Sequence, residues 1–174
     1  MQILKHPEST QRPDDPRNNE VVFPAYDVAN GNLATPINSS PLVKAYINAL
    51  PAYRAGLSAS RRGLEVGMAH GYWLIGPFAK LGPLRDTSYA NLAGLLSTIG
   101  LIIISTITIS AYAYSNPPQP TATITTPNPP AAFRDGDGWN DYGSGFLIGG
   151  IGGATIAYFV LNNIALLKSL FSGL

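Results

Sequence analysis

From Ala90 to Ala113 the chain carries no charged side chain. A helix of that length rises about 1.5 Å per residue and clears the ~30 Å hydrocarbon core of a bilayer. Its most apolar part, LLSTIGLIIISTITISAYAY (Leu95 to Tyr114), offers only hydroxyls and phenols as polar groups. Those hydroxyls can bond back to helix carbonyls or across to a neighbouring helix. The stretch reads as a transmembrane helix, and the rest of the composition agrees. Only 12% of the 174 residues are charged, where soluble domains carry about 25%. The net charge of +1 gives no reason to expect nucleic acid as a partner. The absence of Cys excludes disulfides, thiolate metal sites and Cys nucleophiles.

Two further spans flank this one, at about residues 63–82 and 145–167. Arg61 and Arg62 mark entry to the first, Pro77 sits late in it, and GPLRD (Gly82 to Asp86) joins it to the second as a tight hairpin loop. The chain therefore divides into an N-terminal segment, residues 1–60, and a three-helix transmembrane domain, residues 61–174. Pro7, Pro13, Pro16, Pro24 and Pro36 keep the start of the chain extended, and Asn30-Gly31 signals a turn. VVFPAYD (Val21 to Asp27) has apolar surface with which to dock. Ser40-Pro41 opens a short helix that Pro51 stops. Leu42, Val43, Tyr46, Ile47 and Leu50 share one face of it, Lys44 and Asn48 point away, and the pattern fits an interfacial helix. NPPQPTATITTPNPPA (Asn116 to Ala131) is a non-helical Pro/Thr loop suited to extended backbone.

Seven of the eleven Lys and Arg residues precede the first span's interior. Positive charge stays on the side of synthesis, so the N-terminus is expected there and the C-terminus across the membrane. The opening MQILKHPESTQRPDD has neither an apolar signal-peptide core nor a transit-peptide pattern. The first span is thus expected to act as its own insertion signal.

The first span holds Glu65 and His70. A charged carboxylate at membrane depth costs ~2.5–3.5 kcal/mol on insertion scales, and residues kept there serve as ligands or relays. Five residues apart, the two diverge by about 140° with ~7.5 Å of rise. They do not converge on one ion, but each can hold a separate one. The plain alternatives are an ion pair of Glu65 with Arg61 or Arg62, and a hydrogen bond of His70 to a neighbouring helix. Asp86 can bind a hard cation or simply pair with Arg85. Asp135-Gly136-Asp137-Gly138 begins like a calcium loop, but Trp139 and Phe146 stand where further ligands belong, so that reading is rejected. No nucleophile–base constellation or phosphate loop appears. Gly63, Gly67 and Gly71, and again Gly145, Gly149 and Gly153, form tandem GxxxG motifs. Such motifs bare a helix backbone to another span, another subunit or a flat ring system.

PAYRAGLS (Pro51 to Ser58), RRGLEVGMAHGYWLIGPFAKLGPLRD (Arg61 to Asp86), DPRN…EVVFPA (Asp15 to Ala25) and FLIGGIGGA (Phe146 to Ala154) together resemble the photosystem I reaction-centre subunit XI family, PsaL, of cyanobacterial type. The resemblance implies an all-α membrane protein with three transmembrane helices and no enzymatic activity. It implies chlorophyll a, with Glu65 and His70 as axial magnesium ligands, and beta-carotene. It further implies a calcium site at Asp86 and the Pro83 carbonyl, at the contact between copies. Implied partners are the core subunits PsaA and PsaB, the small subunits PsaI and PsaM, the stromal subunit PsaD, membrane lipid, and other copies in a trimer or tetramer. The implied place is the cyanobacterial thylakoid membrane, N-terminus stromal and C-terminus lumenal. NPPQP (Asn116 to Pro120) is similar to the loop of tetramer-forming members, and KSLFSGL at the C-terminus extends toward a neighbouring copy. The rival reading is a purely structural membrane scaffold that holds no pigment itself.

Overall fold

A computed structural model describes residues 22–25 and 32–171 of the chain. The prolines at 7, 13 and 16, the Asn30-Gly31 turn and the last three residues lie outside the described residues. The chain divides into two compact units: the residues up to Ala55 with Pro120–Pro129, and Gly56–Gln119 with the residues from Pro130 onward.

In the first unit, β1 (Phe23–Pro24) pairs antiparallel with β2 (Leu33–Ala34), Phe23 opposite Ala34 and Pro24 opposite Leu33. Ala25 and Ala34 are buried, with Ile124 of the Pro/Thr loop packed on them. Helix α1 (Pro41–Ala49) starts where the Ser-Pro signal places it, with the Ser40 hydroxyl accepting the Val43 N–H at 3.3 Å. Leu42 and Tyr46 are exposed, at 80% and 64%. Asn48, expected to point away, instead donates through Nδ2 to the Thr125 carbonyl at 2.7 Å. Thr125 Oγ1 in turn donates to the Asn38 carbonyl at 3.1 Å. The Pro/Thr loop has few backbone partners of its own, and these side chains fasten it to the N-terminal segment.

The second unit is helical. α2 (Ala59–Leu81) begins four residues before the expected span, because the Ser58 hydroxyl caps it by accepting the Arg61 N–H at 3.2 Å. α3 (Ala90–Tyr114) matches its expected bounds to a residue. Thr98, Ser105, Thr106 and Thr108 donate to carbonyls four residues back at 2.8–2.9 Å, so no hydroxyl of this set is left bare in an apolar helix. α4 (Gly136–Asn162) departs most from expectation. It starts nine residues early, because Asp135-Gly136-Asp137-Gly138 is a cap rather than a loop: Asp135 Oδ1 accepts the Gly138 N–H at 2.9 Å. It stops five residues early at Asn163, and α5 (Ile164–Phe171) follows as a separate helix. Two described helices, α3 and α4, are both long and apolar enough to cross a membrane. α2 is long enough, but Arg61, Arg62, Glu65 and Lys80 make it more polar.

The seam between α2 and α4 is the largest contact in the chain. Ala59, Gly63, Gly67, Gly71, Ile75 and Ala79 of α2 are buried at a spacing of four. On α4 the matching set is Gly145, Gly149, Gly153 and Ala157. A Cβ at Gly63, Gly67 or Gly71 would overlap the carbonyls of Tyr142, Phe146 and Gly150. A Cβ at Gly145, Gly149 or Gly153 would overlap those of Ser60, Leu64 and Met68. Both helices advance together along these contacts, so they run parallel. α3 lies antiparallel: its Gly94 faces Ala79, its Ile102 faces Gly150 and its Ile109 faces Gly143. At one end of the bundle Asn91 Nδ2 donates to Asn162 Oδ1 at 3.0 Å. Both tandem glycine motifs are therefore consumed inside the chain and are not available as a seat for another subunit. The reason is steric, since two bare backbones have closed on each other and leave no room for a third.

Gly149→Val should lower stability by about 3 kcal/mol, the upper end of overpacking costs, since the atom in the way is backbone. Gly152→Ala, which meets open space, should raise it by roughly 0.5–1 kcal/mol. Thermal denaturation of the solubilised protein followed by circular dichroism checks both.

Candidate functional site

The glycine seam fixes how α2 presents its other faces. Glu65 lies two residues from both Gly63 and Gly67, about 200° around the helix, on the side away from α4. His70 lies about 60° from Gly67, on the flank of the seam. The structure therefore keeps the two residues apart, as their spacing requires. They share no ion.

His70 is exposed, and its Nδ1 lies 2.8 Å from the Val66 carbonyl four residues back. A carbonyl oxygen only accepts, so Nδ1 carries the proton and donates. Nε2 then bears the lone pair, and it has no partner among the described residues. This is the tautomer an axial metal ligand needs, with the second nitrogen held by a hydrogen bond. Phe146 of α4 meets the imidazole edge-on at a centroid distance of 5.5 Å and 61° between planes. Phe146 also stacks on Tyr142 at 6.3 Å, and Tyr142 joins Phe133 and Trp139 in an aromatic cluster that reaches Tyr112 of α3. The ring of His70 is thus set by its own helix on one edge and by α4 on another. Sequence reading missed both partners. The carbonyl is implied by the four-residue spacing in any helix, whereas Phe146 required the register of the seam.

Glu65 is paired with Arg61, whose Nε donates to Oε1 at 2.8 Å. The side chain of Glu65 is 21% exposed and that of Arg61 60%. The alternative of a Glu65 ion pair is thus realised with Arg61, one turn toward the helix start. It leaves Glu65 a carboxylate with a charge partner, which suits it to a metal as well as to the pair. A neutral imidazole with an outward lone pair and a partly enclosed carboxylate both fit the chemistry of axial ligands to magnesium.

Asp86 does not form a comparable site. It is 84% exposed and its Oδ2 lies 3.5 Å from Arg85 Nε. No group of three or more His, Cys, Asp or Glu that could hold a metal ion occurs among the described residues. Calcium takes six to eight oxygens. Asp86 and the Pro83 carbonyl supply a small part of that set, and no cluster of acidic side chains among the described residues adds to it. As a solvated pair, Asp86 should tolerate Asp86→Asn with a stability change within about 0.5 kcal/mol, measured by thermal denaturation.

Comparison with known proteins places residues 20–166 on the family model described as photosystem I reaction centre subunit XI. The chain is 64% identical over 166 residues to the photosystem I reaction center subunit XI of Mastigocladus laminosus, covering 95% of this chain and 96% of that one. It is 63% identical over 163 residues to the protein of the same name from Trichormus variabilis, covering 93% and 95%. It is 61% identical over 165 residues to that of Nostoc punctiforme, covering 94% and 95%.

Proposed function

The chain belongs to the photosystem I reaction centre subunit XI family, and from that premise we propose that it is a chlorophyll-holding and assembly subunit with three membrane crossings. As a photosystem I subunit it is part of that complex in the thylakoid membrane, and its relatives are structural subunits, not enzymes. α2 is the third crossing beside α3 and α4. The antiparallel α3 between two parallel helices supports an up-down-up path, and the Lys and Arg bias supports a stromal N-terminus and a lumenal C-terminus.

One observation carries the pigment reading: the His70 imidazole is held as the Nδ1–H tautomer by Val66, with Nε2 turned outward and without a partner among the described residues. Bound there, a chlorophyll a would supply light absorption and excitation transfer to the core pigments. The chain's own part is positional. His70 and Glu65 offer axial lone pairs on different sides of α2. Phe146 holds the imidazole plane, and the exposed Tyr72 and Trp73 add aromatic surface on the same helix. Beta-carotene, PsaA, PsaB, PsaI and PsaM fit the apolar outer faces that α3 and α4 leave uncovered, including Leu96, Ile103, Ile107, Ile148, Ile156 and Phe159, and the stromal PsaD fits the N-terminal side of the chain. Contact between copies in a trimer or tetramer rests on such faces too, not on the glycine motifs. A calcium ion at Asp86 and Pro83 would need most of its oxygens from another chain.

His70→Leu should leave purified photosystem I one chlorophyll short for each copy of this chain, with an altered red absorption band. The check is extracted pigment per complex, alongside a low-temperature spectrum. An unchanged count and spectrum would falsify the ligand role. Cells lacking the chain should yield monomeric complexes on native gels, and persisting oligomers would remove its assembly role.

A further inference from the structure

Arg61 and Glu65 form an ion pair within the first two turns of α2, and three observations make it more than a surface contact. The acid is the more enclosed partner, 21% exposed against 60% for Arg61. The donor is Nε at 2.8 Å, close to the guanidinium root, so the pair is short and directed. The backbone of Arg61 is itself held, its N–H donated to the Ser58 hydroxyl at 3.2 Å. The N-cap thus fixes where the guanidinium starts, and the guanidinium fixes one oxygen of the carboxylate.

The two ligands differ in charge. A chlorin dianion already balances Mg²⁺, so a neutral imidazole adds no charge to the pigment it holds. A carboxylate adds a full negative charge in an apolar setting, where an unmatched charge is costly. Resting on the reading of Glu65 as an axial ligand, we propose that Arg61 is its dedicated countercharge: a positioning residue that lets a carboxylate hold chlorophyll magnesium at this site and has no part in the His70 site. Held beside Glu65, the Arg61 charge would also contribute to the absorption energy of the pigment that Glu65 holds.

The test uses intact photosystem I purified from cells carrying each variant in place of the normal chain. Chlorophyll per complex is counted by extraction, and the low-temperature absorption spectrum is recorded. Glu65→Ala should lose one chlorophyll per copy. Arg61→Gln should lose the same pigment and the same band, leaving the band that His70→Leu removes. The double variant Arg61→Gln with Glu65→Gln should recover the pigment, because a neutral amide oxygen needs no countercharge. Arg61→Lys, which keeps the charge, should retain it. A full pigment count and unshifted spectrum in Arg61→Gln, with loss in Glu65→Ala, would overturn the countercharge and leave Glu65 a ligand. A full count in Glu65→Ala would overturn the ligand reading itself and this inference with it. Depletion in Arg61→Lys or in the double variant equal to that in Arg61→Gln would assign Arg61 to packing and overturn the charge account.

Discussion

Backbone contact between α2 and α4 is the constraint on which the helical unit depends. Six glycines at four-residue spacing let two helices meet carbonyl to Cα, with no side chain between. In an apolar solvent there is little hydrophobic drive for one helix to choose another. Close van der Waals contact and weak Cα–H bonds must supply the preference. A spacing of four also sets register. A slip by one residue would bring Leu64 or Met68 against a carbonyl, so the seam admits one alignment.

That alignment decides what each side chain of α2 can do. It carries Phe146 to the edge of His70 and turns Glu65 to the far side. It also sets where α3 docks, through Gly94, Thr98 and Ile102, the residues of α3 that are buried in its middle. The result is a helix whose one face is spent on structure and whose remaining faces carry an imidazole, a carboxylate and aromatic rings. The two candidate ligands are held by different means. His70 is oriented by a carbonyl of its own helix, and Glu65 by a guanidinium that the N-cap positions. The first is neutral and the second charged, and that difference has consequences for any pigment bound there.

The other unit is assembled from segments with few hydrogen bonds of their own. Prolines remove backbone donors in the Pro/Thr loop, and Asn48 and Thr125 replace them with side-chain bonds to α1 and to the N-terminal segment. Residues about 75–90 apart in sequence are thereby joined, a pairing that local patterns cannot announce.

The family was legible from local motifs, and so were the Ser40 start, the bounds of α3 and the divergence of Glu65 and His70. Each follows from spacing along one helix or from a cap and its neighbours, which depend only on residues close in sequence. Tertiary structure decided the rest. It spent both glycine motifs on one internal seam, started α4 at the Asp135 cap nine residues before the expected span, turned Asn48 inward and brought Phe146 to His70. Glycine is the reason the division falls there. Without a side chain it states that something comes close, and only the partner's backbone says what.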